Sequence, residues 1–269
     1  MSGPAMSDLS YTTHGRYARL ALNRPDTGNR LTPAMAQELA TACEAVEDDD
    51  EVEILLLTGQ GGVFCTGLEC SPPATAHRIR QQFGSLTCVE RLGALTKPTI
   101  AVLNGDAIGV GLELALACDL RLAKAGAQLG LPQLSEGLIP FCGGTQRLPR
   151  IVGQARALEL ILTGTRLDAD RAQQIGLVTE TIEPERFAAR VDEVLAGLLD
   201  KGPLALRLGK EAVLKAMDLS LAQGTRLEED LYVLLQTTQD RAEGVAAFLA
   251  NVSRSLRAAK NPAQCVRYS

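Results

Sequence analysis

An α/β fold is the class this sequence predicts, and three observations carry the prediction. The first two-thirds of the 269 residues alternate short apolar runs with segments of helical periodicity. The last third, from Pro184 onward, is patterned as helix almost alone, with breaks near Gly202-Pro203, Asp218 and Thr238. The chain is too long for a helix bundle and too mixed for an all-β fold. A boundary between the mixed part and the helical part is expected near residues 195–205.

The elements follow in order. Ser10 to Asn23 alternates loosely around His14-Gly15 and reads as a β-hairpin or two short strands, ended by Arg24-Pro25-Asp26. Thr32-Pro33 is a helix start, with threonine as N-cap and proline at the first helical position. Met35, Leu39, Ala42, Cys43 and Val46 then share one helix face, and Glu47 to Glu51 forms a solvated acidic end. Glu53 to Thr58 is a buried strand, followed by a loop at Gly59-Gln-Gly-Gly62. Ser71 to Ala76 reads as a surface loop and Ile79 to Leu95 as helix, broken by Lys97-Pro98. Thr99 to Leu103 is a buried strand, Leu112 to Cys118 a short buried helix, Leu120 to Ala123 a strand, and Ala127 to Gln133 an extended piece. Gly137 to Gly144 turns into a helix at Thr145 to Val152. Ala155 to Leu162 and Asp168 to Ile175 are short helices closed by Gly164 and Gly176, and Leu177 to Ile182 is a strand.

Composition narrows the function. Hydrophobic residues make up 46% and charged residues 22%, a globular balance able to build one large core. A net charge of -5 without a long basic run argues against nucleic-acid binding, as do the absence of tryptophan and an aromatic content of 3%. No apolar run has membrane-spanning length, so no membrane partner is expected. The first residues lack the basic and apolar regions of a signal peptide. Seven scattered cysteines (Cys43, Cys65, Cys70, Cys88, Cys118, Cys142, Cys265) without a metal-type CxxC pair read as reduced thiols of a cytoplasmic protein. Gly59-Gln-Gly61-Gly62 fails the dinucleotide spacing, because Val63-Phe64-Cys65 does not open a helix. His14 and His77 stand alone, and no G-x-S-x-G is present for a nucleophilic triad.

The stretch with the densest chemistry is Asn104 to Asp119, NGDAIGVGLELALACD. A buried strand enters it and a buried helix leaves it, with Gly105, Gly109 and Gly111 between. Such a turn points free N–H groups and the positive end of a helix at one spot, which suits an oxygen that gains charge during a reaction. Glu113 lies in the same helix among apolar residues. From the residues alone it is either a carboxylate paired with an arginine, a helix-start residue favoured by the dipole, or a site group.

Four segments resemble the crotonase, or enoyl-CoA hydratase/isomerase, superfamily. They are Leu22-Asn-Arg-Pro25 with Asn29-Arg-Leu31; Gly59 to Glu69, GQGGVFCTGLE; the Asn104 to Asp119 stretch; and Gly130 to Leu148, GLPQLSEGLIPFCGGTQRL. The run from Thr163-Gly164 to Gly176-Leu177-Val178 also fits, so the resemblance spans about residues 16–250. It implies a superhelix of repeated ββα units over residues 1–200 and an α-helical trimerisation region over 201–269. It also implies a homotrimer or homohexamer, and an acyl-CoA thioester as substrate. No metal and no cofactor is implied beyond the coenzyme A of that substrate.

By motif matching, the resemblance assigns the oxyanion hole to the backbone N–H groups of Leu68 and Val110, and the acid/base role to Glu113. It brings Arg24, Phe64, Thr66, Gly67, Gly109 and Phe141 to the substrate. Several positions depart from the family pattern. Gln133 stands where a hydratase has its second glutamate, and an amide cannot shuttle protons near neutral pH. Glu136 reads as a loop carboxylate. Val110 replaces a glycine, which demands ordinary dihedrals there. Phe141-Cys142 replaces small residues and is expected to narrow the acyl pocket. Asp26 weakens the phosphate region, leaving Arg24 or Lys210 as the compensating cation. The expectation is an enoyl-CoA hydratase or isomerase, with a non-catalytic acyl-CoA-binding homologue as the alternative that Gln133 raises.

Overall fold

The computed structural model describes residues 8–69, 87–238 and Arg241. The Ser71–Ala76 loop, the start of the Ile79–Leu95 helix, His77, Cys70, Cys265 and most of the chain beyond Thr238 lie outside the described residues. The larger sheet holds β1 (Leu9–His14), β2 (Tyr17–Leu22), β3 (Ile54–Gly59), β4 (Thr99–Leu103), β6 (Leu120–Lys124) and β9 (Glu180–Ile182) in that spatial order. Its first pair is the antiparallel hairpin turned at Gly15, and every later pair is parallel. A smaller sheet orders β5 (Ala107–Ile108), β7 (Gln128–Gly130) and β8 (Leu167–Asp168).

The two sheets are threaded together by a repeating step. The chain runs through a strand of the larger sheet, touches the smaller sheet, and returns through helix. β4 leads to β5 and then to α3 (Val110–Ala117); β6 leads to β7 and then to α4 (Gly144–Val152) and α5 (Gln154–Thr163). β3 begins the same step: Cys65 forms a single parallel bridge with Ala107 before the chain reaches α2 (Thr87–Ala94).

Both faces of β3 and β4 are covered, which explains why ILLL has no polar alternation. Leu55 and Leu57 face the main core with α1 (Pro33–Asp48), α2 and α3, while Ile54 and Leu56 face Val191 and Leu195 of α7 (Phe187–Leu199). Thr32 caps α1 by accepting from the Met35 N–H, with Pro33 at its first position. At the other end, the buried Lys97 donates to the carbonyls of Val46 (2.6 Å) and Asp49 (2.7 Å), so a cation closes the negative end of the helix. The remaining helices are α6 (Ala169–Gln174), α8 (Pro203–Lys215) and α9 (Leu221–Gln236).

Three sequence expectations change. The Ala127–Gln133 piece is extended only over Gln128–Gly130; Pro132 to Glu136 is a 3-10 turn, and it carries Gln133. The proline at its first position opens this turn by presetting φ. The strand expected over Leu177–Ile182 shortens to Glu180–Ile182, because the turn after α6 occupies the residues before it. The Leu112–Cys118 helix begins earlier, at Val110, so Glu113 falls in its first turn.

Candidate active site

The site is built where the Gly59–Glu69 loop lies against the Asn104–Gly111 loop. Their closeness rests on glycines. A Cβ on Gly111 would stand 2.0 Å from the Cys65 carbonyl oxygen. Gly109 takes φ 58°, ψ −125°, a conformation open to glycine and costly for other residues. Because Gly109 absorbs that geometry, Val110 begins α3 without a positive φ. The β-branched side chain therefore meets no backbone penalty. As the first residue of the helix, Val110 has an N–H with no intrahelical acceptor.

The second N–H is left open in a similar way. Leu31 and Leu68 form a parallel bridge in which Leu31 donates to the Gly67 carbonyl and Glu69 donates to the Leu31 carbonyl, each at 2.9–3.0 Å. The Leu68 N–H is outside that ladder. Asn29 locks the approach. Buried and at φ 53°, it donates to the carbonyls of Gln60 (3.0 Å) and Val63 (2.9 Å) and accepts from the Arg24 N–H (2.8 Å).

Leu68 and Val110 line one cavity of about 250 Å³. Thr66, Gly67, Gly109, Gln133 and Phe141 line it too, so seven of the ten residues expected at the site come together on one wall. The other three do not line it. Phe64 is fully buried in the main core. Its apolar ring packs there instead of meeting a ligand. Arg24 is held by Glu69 (2.5 Å and 3.3 Å), with Asp8 at 3.7 Å, so its charge is already answered. Lys210, the other suggested cation, donates to Asp119 (2.7 Å) and to the Lys97 carbonyl (2.9 Å) and is nearly buried. Both cations are thus already paired with a carboxylate in this arrangement.

Glu113, the third, lies behind the wall. It is fully buried. Its Oε1 accepts from the N–H groups of Cys142 (2.7 Å) and Gly144 (2.9 Å), and its Oε2 accepts from Gln133 Nε2 (3.1 Å). Gly144 is the first residue of α4, so the carboxylate sits at the positive end of that helix. A Cβ at Gly144 would come within 2.9 Å of Glu113 Oε1. Burial pushes the Glu113 carboxyl up to about 7, against the pull of the two backbone N–H donors, Arg147 and Gln133. A carboxyl balanced near neutrality can both take and return a proton.

Gln133 stands between Glu113 and the cavity. It is 8% exposed, and its Oε1 is buried without a hydrogen-bond partner among the described residues. Two charged residues on the cavity wall were not among the expected site residues: Arg30, between Asn29 and Leu31, and Glu136, on the 3-10 turn. Both are exposed. Arg30 falls inside the Asn29-Arg-Leu31 segment, and being the one charge in that segment was the signal available for it. Among the described residues no group of three or more histidine, cysteine or acidic side chains is arranged to hold a metal ion.

The enoyl-CoA hydratase/isomerase family model matches residues 13–254. Crotonyl-CoA hydratase from Syntrophomonas wolfei is 38% identical over 238 residues, covering 87% of this chain and 92% of its own. The 2,3-dehydroadipyl-CoA hydratase of Escherichia coli is 35% identical over 250 residues, covering 91% and 96%. The crystal structure of an enoyl-CoA hydratase from Bacillus anthracis superposes with a TM-score of 0.89 at 33% identity, covering 93% of this chain and 99% of that one. The fold is thus of the crotonase type, and the chain belongs to the enoyl-CoA hydratase/isomerase family.

Proposed function

We propose that this protein is an acyl-CoA thioester enzyme of hydratase or isomerase type that works through an enolate. The observation that carries the reading is Glu113. It is a buried carboxyl raised to about 7, one hydrogen bond behind a cavity lined by Leu68 and Val110. A thioester oxygen gains charge as the α-carbon loses a proton or the β-carbon gains a nucleophile. Two fixed N–H donors then bind the transition state more tightly than the ground state. Loss of one such donor typically costs about 10²–10³ in rate. Glu113 takes and returns the proton, and Gln133 orients the reacting group without moving protons itself. The acyl-CoA relatives support the thioester class.

The exposed apolar side chains of α8, α9 and their connection, among them Val213, Leu214, Met217, Leu221 and Tyr232, favour self-association as a homotrimer or homohexamer. Five buried free thiols among the described residues suit a reducing, cytoplasmic setting. No helix among the described residues is long and apolar enough to cross a membrane.

A second reading is favoured by one observation. Glu113 receives three hydrogen bonds and does not line the cavity, as a purely structural helix cap would. On that reading the protein binds acyl-CoA without turning it over. Steady-state hydration of crotonyl-CoA separates the two. Turnover by the wild type, lost in Glu113→Gln with binding retained, supports the enzyme. Tight binding with no turnover in either protein supports the binder, and full activity in Glu113→Gln removes the carboxyl from the mechanism.

A further inference from the structure

The two backbone donors on Glu113 Oε1 come from one tight turn. Cys142 and Gly144 flank Gly143, whose φ of 95° and ψ of 3° let the N–H groups on either side converge on a single oxygen. Arg147, in the first turn of α4, holds that turn by donating from Nη1 to the Cys142 carbonyl at 3.0 Å. Its guanidinium has a place there because two glycines leave one. A Cβ on Gly143 would stand 2.1 Å from Nη1, and a Cβ on Gly93 of α2 would stand 2.7 Å from Nη2. The guanidinium is thus seated between α2 and the start of α4, where its positive charge acts on Glu113. Arg147 does not line the cavity that Leu68 and Val110 share.

We propose that Arg147 is a positioning residue for Glu113, clamping the turn that supplies both backbone donors and keeping a cation near the carboxylate. This deepens the functional reading above and rests on Glu113 as the acid/base. Removing Arg147 loosens the two donors and takes away the cation. Each change disfavours the charged carboxylate, so both move the ionisation of Glu113 to higher pH. The other groups around the pair do not mask that movement. The Cys142 thiol is pushed up by burial and stays neutral near pH 7. Gln133 does not titrate. Glu90 of α2, Arg150 of α4 and Asp218 line a second cavity of about 430 Å³ with Arg147; all three are exposed, and solvent and salt screen their charges.

The experiment is an NMR titration of the full chain carrying an isotopic label at its glutamate carboxyl carbons. The resonance missing from Glu113→Gln is that of Glu113. Its midpoint is expected to rise by about one pH unit in Arg147→Met and to stay near the wild-type value in Arg147→Lys, which keeps the cation and a donor. Arg147→Gln takes the place of Arg147→Met if that variant does not fold. Turnover of crotonyl-CoA supplies the second readout. At pH 7 the ionised fraction of Glu113 falls from about one-half to about one-tenth, so kcat drops about fivefold with KM unchanged, and the rate returns as pH passes the new midpoint. A merely structural role would leave the same loss at every pH. A midpoint unchanged in the neutral variant, or a loss of kcat that higher pH does not restore, overturns the proposal. A midpoint that rises as expected in a protein whose wild type turns over nothing supports the clamp on Glu113 and overturns the enzyme reading instead.

Discussion

The sharpest consequence of the Glu113 environment is on stability against pH. In the unfolded chain this carboxyl ionises near 4.5, and in the fold at about 7. Between those values the native state holds a proton that the unfolded state has lost, so stability falls as pH rises. The contribution is full below the lower value and gone once pH has passed the upper one. At about 1.4 kcal/mol per pH unit the whole difference is worth about 3 kcal/mol. Glu113→Gln keeps the size and the acceptor for Cys142 and Gly144 but cannot ionise. We expect urea unfolding followed from about pH 5 to pH 8 to show the wild type losing about 2–3 kcal/mol relative to Glu113→Gln. Other titrating groups are common to both proteins and cancel in the difference. A difference that stays flat across the range would refute the reasoning, since it would mean that Glu113 ionises in the fold as it does in a free chain.

Two further perturbations test the scaffold under the site. Gly111→Ala sets a methyl 2.0 Å from the Cys65 carbonyl, backbone against backbone, so nothing flexible can yield. It should cost about 3 kcal/mol or more and lower the soluble yield, and thermal unfolding within a degree or two of wild type would contradict that. Asn29→Ala strands the Gln60 carbonyl and the Arg24 N–H, and leaves the Val63 carbonyl only the longer bond from Asn104 Nδ2 (3.3 Å). The expected loss is about 3 kcal/mol by denaturant titration, with crotonyl-CoA affinity falling as the Leu68 loop loosens; unchanged stability would show that water replaces the amide without penalty.

Much of this arrangement was legible in the sequence because it is local. The Thr32-Pro33 cap, the ILLL strand and the glycine-rich turn before Glu113 each declare themselves within a few residues, and the structure contains all three. The motif spacing also brought Thr66, Gly67, Leu68, Gly109, Val110 and Gln133 to one cavity. What was not legible depends on distant parts of the chain. Glu113 finds its N–H donors at Cys142, just before α4, and at Gly144, its first residue, 29 and 31 residues away, and no periodicity reports that contact. Phe64 was assigned to the ligand because it sits in a site motif, but strand pairing at Cys65 turns it into the core. The pairing of Arg24 with Glu69 and of Lys210 with Asp119 is likewise invisible in the sequence, which shows a charge without showing the carboxylate that meets it. The turn that carries Gln133 looked extended, since Gln128 to Gly130 is strand and Pro132 changes the backbone only two residues later.

Exchange of the α-protons of butyryl-CoA with deuterium in heavy water tests the central claim most directly. It needs enolate stabilisation and one carboxyl, and nothing from a second glutamate. Exchange catalysed by the wild type and reduced by about 10²–10⁴ in Glu113→Gln, with butyryl-CoA still bound, is the expected result. Bound butyryl-CoA that keeps its α-protons in the wild type would contradict it, because the cavity would then hold a thioester without stabilising its enolate.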